Sequence, residues 1–142
     1  TPFARLSVGQ QQRAALARAL AQLDATRATD LSGTALLADE PFSAMDPRFV
    51  ARSATALREV ASKGCAIVLV LHDATAALRL ADDATLLGHD GTVAASGPVS
   101  STIRPEALEA LFGTPFERTG ASAVLPALTG RDAPGADTLP DA

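Results

Sequence analysis

The 142-residue sequence predicts an α/β fold with a parallel sheet. Two short apolar runs, at 34–38 and 65–71, each lead directly into polar residues. The segment between them has the apolar spacing of a helix, and two buried strands joined by a helix form a parallel βαβ unit. Polar residues that follow parallel strands converge at one edge of the sheet, where sites form in such folds.

A first helix is predicted from about residue 10 to the mid-twenties. Ser7 and Gly9 stand just before an Ala/Leu/Arg/Gln run, and Leu16, Leu20 and Leu23 form one apolar stripe along it. The first backbone N–H groups of a helix have no intrahelical partners and lie at the positive end of its dipole, so this start is a candidate anion site. Taken alone, the same features are equally typical of an ordinary helix start.

The first predicted strand leads into two adjacent carboxylates, Asp39 and Glu40. Pro41 stops the strand, and Asp46 followed by Pro47 is a strong helix start. In phosphoryl transfer, one carboxylate at such a position can hold Mg²⁺ while the other polarises an attacking water. A pair of carboxylates at an exposed strand end is the alternative interpretation.

His72 follows the second predicted strand, where it is expected to meet the two carboxylates. An imidazole there could bond a γ-phosphate oxygen and sense whether the phosphate is present. A histidine satisfied at the strand boundary is the alternative. Cys65, at the start of the same strand, is predicted to be a small buried residue.

Small elements are predicted downstream of the second strand. They are a helix over 74–81, a hairpin over 84–96, a second helix over 105–112 and one short strand within 116–128. The pair Asp90-Gly91 is a type I′ turn signal, and Gly97-Pro98 is expected to end the hairpin. Residues 129–142 are rich in Gly, Pro, Asp, Ala and Thr, which predicts a disordered acidic tail.

Composition and charge limit the classes of function. The formal net charge is −4 and the 12 Lys and Arg residues are scattered, so the sequence predicts no basic surface for nucleic acid. No apolar run approaches the roughly 20 residues that a membrane-spanning helix needs. Any connection to a membrane is therefore expected to run through a partner.

Four segments together resemble the ATP-binding cassette (ABC) transporter ATPases, in the order typical of that family. Residues 6–13, LSVGQQQR, are similar to the signature motif, and residues 36–41, LLADEP, to the Walker B strand. Residues 43–46, SAMD, resemble the D-loop, and residues 71–73, LHD, the switch-histidine segment. The resemblance covers about residues 1–112. It implies a P-loop NTPase-type parallel sheet flanked by helices, with a C-terminal β-hairpin and short helix.

The signature motif implies a site shared between two subunits. By this resemblance, Ser7, Gly9 and Gln10 contact the γ-phosphate of ATP held by the opposing subunit. Asp46 is implied to lie at the subunit junction and to couple the two sites. Val8 stands where the family usually has Gly, and its branched side chain is expected to weaken function without abolishing it.

The residues after the strands are implied to carry the hydrolysis of ATP. Asp39 is assigned to Mg²⁺, Glu40 to the general base and His72 to sensing of the γ-phosphate. The implied cofactors are therefore ATP and Mg²⁺.

Two expected motifs are absent from the sequence. There is no Gly-x-x-x-x-Gly-Lys-Ser/Thr loop to cradle phosphates, nor the Gln-containing loop that contacts a membrane subunit. The sequence is therefore expected to be the C-terminal part of a nucleotide-binding domain, over 1–128, followed by the tail at 129–142. ATPase activity is expected in the full-length context, and the 142-residue chain alone is expected to be inactive.

The segment 97–113 resembles importer ATPases of the haem, iron-siderophore and vitamin B12 group. Importers of molybdate, thiamine or other small solutes stay open as alternatives. Such a subunit works as a homodimer or paired ATPase on integral membrane permease subunits, at the cytoplasmic side of the membrane. A periplasmic or surface solute-binding protein is an indirect partner, and nucleic acid is not expected.

Three rival interpretations belong to other classes. One is a non-hydrolytic dimerisation or regulatory module that offers its signature helix to a partner's ATP, and another is an inactive truncated remnant of an ABC ATPase. The third is a chromosome-maintenance ATPase, which shares signature and Walker B elements. The Gln-rich run at 10–13 and the short spacing from the signature to the first strand favour transport over the third.

Overall fold

The computed structural model describes residues 5–25 and 29–127. The chain forms two compact units, which divide between Asp73 and Ala74. All of the predicted site residues belong to the first unit. The tail predicted for 129–142 lies outside the described residues, as does the last residue of the domain predicted for 1–128.

The first unit contains two helices and two strands. In chain order they are α1 (Val8–Ala25), β1 (Ala35–Asp39), α2 (Pro47–Ser62) and β2 (Ala66–Val70). The strands pair in parallel, with Leu36 opposite Ile67 and Asp39 opposite Val70. The predicted α/β class and parallel strand pair are confirmed, and α1 begins two residues before its predicted start.

One face of this sheet packs against the helices. Leu36 of β1, Leu16 of α1 and Leu57 of α2 are buried in one cluster, together with Cys65. Leu20 and Leu23 pack against the same cluster, which confirms the apolar stripe predicted for α1. Burial of these side chains provides most of the hydrophobic stabilisation of the first unit.

The opposite face of the sheet is apolar and exposed. Leu37 is 75% exposed, and Val68 and Val70 are 54% and 57% exposed. Side chains alternate along a strand, so the neighbours of buried Leu36 must project to the other face. Both strands were expected to be fully buried. That expectation is wrong within the described residues, because helices cover one face only.

The second unit is built from short helices and two antiparallel hairpins. In chain order the elements are α3 (Ala74–Leu80), β3 (Asp83–Leu87), β4 (Val93–Pro98), α4 (Val99–Thr102), α5 (Pro105–Phe112), β5 (Phe116–Arg118) and β6 (Val124–Pro126). Ile103, Leu108 and Val124 form its buried core. Across residues 5–25 and 29–127, no helix combines the length and the apolar character that crossing a membrane requires.

The β3–β4 loop differs from the predicted type I′ turn. Gly91 has a φ of 79°, whereas Asp90 is not among the residues with positive φ. The Gly91 N–H donates to the Gly88 carbonyl at 2.9 Å, which fits a type I turn followed by a left-handed glycine. The hydroxyl and the N–H of Thr92 donate to the Asp90 carboxylate and lower its pKa below the usual value.

Two further expectations for the second unit are wrong in detail. β4 continues through Gly97 and Pro98, which pair with Ala84 and Asp83, so this dipeptide does not end the hairpin. A proline is tolerated there because β4 is an edge strand, since it pairs only with β3 among the described residues. The single strand expected over 116–128 is instead the β5–β6 hairpin. The four-residue helix α4 was not predicted, because it is too short to show a period.

Replacing a leucine by alanine should change the stability of the first unit differently on the two faces of the sheet. Leu36→Ala removes a buried side chain and is expected to destabilise the first unit by about 2–5 kcal/mol. Leu37→Ala makes the same chemical change on the exposed face and is expected to cost less than about 0.5 kcal/mol. Amide hydrogen exchange of the first unit across a urea titration measures the free energy of unfolding of both variants. Equal losses of stability would contradict the observed burial.

Candidate functional site

Glu40 and His72 meet at the carboxyl ends of β1 and β2. The Glu40 N–H donates to the Val70 carbonyl at 3.0 Å, which extends the strand pairing one residue beyond β1. His72 follows Val70 by two residues, and its Nδ1 lies 2.6 Å from Glu40 Oε1. The structure therefore brings together two of the three residues expected at this edge.

The hydrogen bond between these side chains has a defined direction. A carboxylate can only accept, so His72 Nδ1 carries the hydrogen and donates it to Glu40. The histidine side chain is 77% exposed and the glutamate side chain 32% exposed. A pair this open to solvent adds little to stability, so its main effect is to orient the two side chains. The second imidazole nitrogen of His72 is left for another partner.

The backbone turns sharply at Glu40. Its φ is 46°, and Ala44 has a φ of 56°; glycine apart, these are the positive φ angles among the described residues. The left-handed region is unfavourable for side chains other than glycine and occurs where surrounding contacts impose it. The Ser43 N–H donates to the Glu40 carbonyl at 3.1 Å and closes a turn directly after the strand.

Asp39 is the last residue of β1 and is exposed. In the two described segments, no group of three or more His, Cys, Asp or Glu side chains is arranged to hold a metal ion. Magnesium commonly takes only one or two protein carboxylates, with water and phosphate oxygens completing its shell. An exposed carboxylate beside Glu40 fits that demand, so Asp39 could hold Mg²⁺.

The start of α1 is a capping box formed by Ser7 and Gln10. Ser7 Oγ accepts the Gln10 N–H at 3.3 Å, and Gln10 Oε1 accepts the Ser7 N–H at 2.9 Å. This reciprocal pair explains why the helix begins at Val8. The N–H groups of Val8 and Gly9 come first in the helix and have no intrahelical acceptors, so they are available to an anion.

Gly9 is required by the fold of this chain. A Cβ atom at Gly9 would lie 2.3 Å from the carbonyl oxygen of Ala44, which no side chain could accommodate without a shift of the backbone. Val8 is 63% exposed. Its side chain is therefore tolerated locally, and any conflict that it creates must involve a bound partner or ligand.

Asp46 caps α2, as the sequence predicted. Its carboxylate accepts the backbone N–H groups of Arg48 and Phe49 at 3.0 and 3.2 Å. Pro47 occupies the first helical position, where a missing N–H has no consequence. The role of Asp46 at a subunit junction stays a prediction.

Two contacts of α1 were not predicted. Gln12 Nε2 donates to the Glu40 carbonyl at 3.3 Å, and the Arg13 guanidinium lies 4.1 Å from the ring centroid of Phe49. Gly9, Gln12 and Arg13 follow the i, i+3, i+4 spacing of one helix face. That spacing is visible in the sequence, but nothing local indicates that this face meets the turn after β1.

The chain shares sequence with several proteins of one kind. It is 40% identical over 128 residues to the hemin import ATP-binding protein HmuV of Rhodopseudomonas palustris strain HaA2, covering 87% of this chain and 48% of that protein. It is 41% identical over 111 residues to HmuV of Pseudomonas entomophila strain L48, covering 78% and 42%. The chain is a homologue of ABC transporter ATP-binding subunits. It spans about half the length of these relatives.

A solved structure supports the same fold. A metal-chelate type ABC transporter in an inward-facing conformation is similar to this chain, with a TM-score of 0.65 at 24% identity, covering 89% of this chain and 50% of that chain. No protein-family model matches the chain. The resemblance to ABC transporter ATPases that the four sequence motifs indicated is confirmed, and so is the similarity to the haem importer group.

The capping role of Asp46 can be separated from its charge. Asp46→Ala removes the acceptor for two N–H groups and is expected to destabilise α2 by about 0.5–2 kcal/mol. Asp46→Asn keeps an acceptor of the same size and is expected to stay within a few tenths of the wild-type value. Urea unfolding measures both variants, and equal destabilisation would show that the carboxylate charge matters more than the cap.

Proposed function

We propose that the chain forms the hydrolytic part of an ABC transporter ATP-binding subunit, with Glu40 as general base. The contact between Glu40 and His72, directly after Asp39, carries this proposal. It places a carboxylate, an imidazole and a second carboxylate at the carboxyl ends of two parallel strands, where α/β folds bind their ligands. The homology to ATP-binding subunits supports the same chemistry.

Each of these side chains has a distinct task in the proposal. Glu40 accepts the proton of the attacking water, while its hydrogen bond from His72 Nδ1 keeps the carboxylate oriented. His72, in its doubly protonated form, donates its other N–H to a γ-phosphate oxygen, because phosphate oxygens only accept hydrogen bonds. Asp39 would hold Mg²⁺, which when bound neutralises charge on the β- and γ-phosphate oxygens.

The start of α1 is proposed to serve a nucleotide held by a second ATPase subunit. Phosphate oxygens only accept hydrogen bonds, and this helix start offers donors of three kinds. They are the hydroxyl of Ser7, the side-chain amide of Gln10 and the first backbone N–H groups of the helix. Asp46 is proposed to lie close by at the junction of the two subunits, in addition to capping α2.

The transported solute is proposed to be haem, or a related iron-siderophore or cobalamin. The names of the relatives from Rhodopseudomonas and Pseudomonas, hemin import ATP-binding protein, support haem first. By the same homology, the partners are a second ATPase subunit, membrane permease subunits and, indirectly, a solute-binding protein. The proposed location is the cytoplasmic face of the membrane, as a peripheral subunit.

A chimera tests the proposed chemistry. In it, this chain replaces the matching half of the Rhodopseudomonas palustris hemin import ATP-binding protein. Glu40→Gln removes the proton acceptor and is expected to lower kcat for ATP by roughly 10²–10⁴-fold. The KM for ATP should change little, because the amide keeps the size of the carboxylate. Steady-state phosphate release measures both constants.

Glu59→Gln is the matched control, because it makes the same chemical change away from the site. Glu59 is exposed on α2. The control variant is expected to leave kcat unchanged. An undiminished kcat in Glu40→Gln would remove Glu40 from the base role. A chimera that binds ATP without hydrolysing it would favour the non-hydrolytic module instead.

Val8 can be tested in the same chimera. Val8→Gly removes a branched side chain beside the proposed phosphate position and is expected to raise kcat/KM several-fold. Val8→Ala should give an intermediate value, because it keeps Cβ alone. Identical kcat/KM for all three residues would show that position 8 does not face the nucleotide.

A further inference from the structure

One face of α1 contacts the turn that carries Glu40. Gln12 donates to the Glu40 carbonyl, Gly9 lies against the Ala44 carbonyl, and Arg13 stacks on Phe49. We propose that Gln12 is a positioning residue, which holds the Glu40 backbone in its left-handed conformation and so ties the signature helix to the base of the same chain. This inference rests on the proposed function for the role of Glu40.

The Glu40 residue is held on both sides by hydrogen bonds. Its N–H is bound to Val70 of β2 at 3.0 Å, and its carbonyl accepts Gln12 Nε2 at 3.3 Å and the Ser43 N–H at 3.1 Å. Glutamate does not favour a φ of 46° by itself, so these contacts must impose it. Gln12 supplies the one of the three that comes from outside the strand pair and its turn.

The orientation of the Gln12 amide is decided by Glu40. Gln12 Oε1 is buried and has no hydrogen-bond partner within the described residues. The reversed amide would place that oxygen against the Glu40 carbonyl oxygen, which repels it. A buried oxygen without a partner is unfavourable, so the stability of this part of α1 does not by itself explain a glutamine at this position. Donation to Glu40 does.

The three contacts of α1 join its N-terminal turns to the Glu40 turn and to the start of α2. Gly9 packs directly against Ala44, because a Cβ at position 9 would overlap the Ala44 carbonyl oxygen. Arg13 and Phe49 fasten the next turn of α1 to the start of α2. A phosphate that engages Ser7 and Gly9 from the opposing subunit would therefore act on the base of this chain through Gln12.

Nuclear magnetic resonance of the full 142-residue chain tests the positioning role. Positive φ brings the amide hydrogen close to Hα of the same residue and gives a strong intraresidue NOE. Gln12→Leu is expected to weaken this NOE at Glu40 and to leave it unchanged at Ala44. Gln11→Leu is the matched control, because the Gln11 side chain donates to the Leu6 carbonyl. It should leave both signals unchanged.

A double-mutant cycle tests whether Gln12 offsets the cost of left-handed backbone at position 40. Glycine adopts positive φ without that cost. Gln12→Leu should therefore raise the unfolding equilibrium constant about threefold less in the Glu40 background than in the Glu40→Gly background, because without the Gln12 contact Glu40 can relax and recover the cost of positive φ, whereas glycine has no such cost to recover. Urea unfolding of the four proteins gives this ratio, which a general packing role for Gln12 would not produce.

Gln12→Lys keeps a donor on a chain of similar length and is expected to restore the Glu40 NOE even if Gln12→Leu folds poorly. An unchanged NOE in Gln12→Leu, or a cycle without coupling, overturns the inference. In the chimera, Gln12→Leu should lower kcat with little change in KM for ATP. A chimera without ATPase activity would contradict the proposed function, while the NOE and the cycle would still decide the role of Gln12.

Discussion

The parallel pairing of β1 with β2 is the constraint on which the candidate site depends. It sets Asp39 opposite Val70, so the next N–H, that of Glu40, donates to Val70. The same pairing brings the chain after β2 back to the same edge, where His72 meets the Glu40 carboxylate. A shift of one residue would reverse the faces of the strand and separate the site from its core.

Close packing of α1 on the following turn is the second constraint. Gly9 lies where any side chain would overlap the Ala44 carbonyl, so a glycine in the signature motif is needed within the chain itself. The neighbouring Val8 meets no such restriction and is exposed. The two central positions of this motif therefore serve different surfaces, one inside the subunit and one outside it.

The sheet is covered on one face only in the described residues. Leu36 is buried with the helices, while Leu37 and Val68 are exposed on the other face. Extended parallel sheets usually carry a layer on each face, because both faces of their strands are apolar. The chain spans about half the length of its relatives. In the first unit, the buried core lies between the sheet and the helices α1 and α2.

The sequence by itself determined most of the helices and strands, and it determined which residues are candidates for the site. The apolar run before Asp39, the Asp46-Pro47 helix start and the polar residues after each strand are local signals, because strand burial and helix capping depend on neighbouring residues. Only the tertiary structure decided which groups meet. The hydrogen bond from Gln12 to Glu40 joins residues 28 positions apart. No local preference predicts this contact or the left-handed backbone at Glu40. Long-range packing imposes both, against the intrinsic preference of glutamate for negative φ.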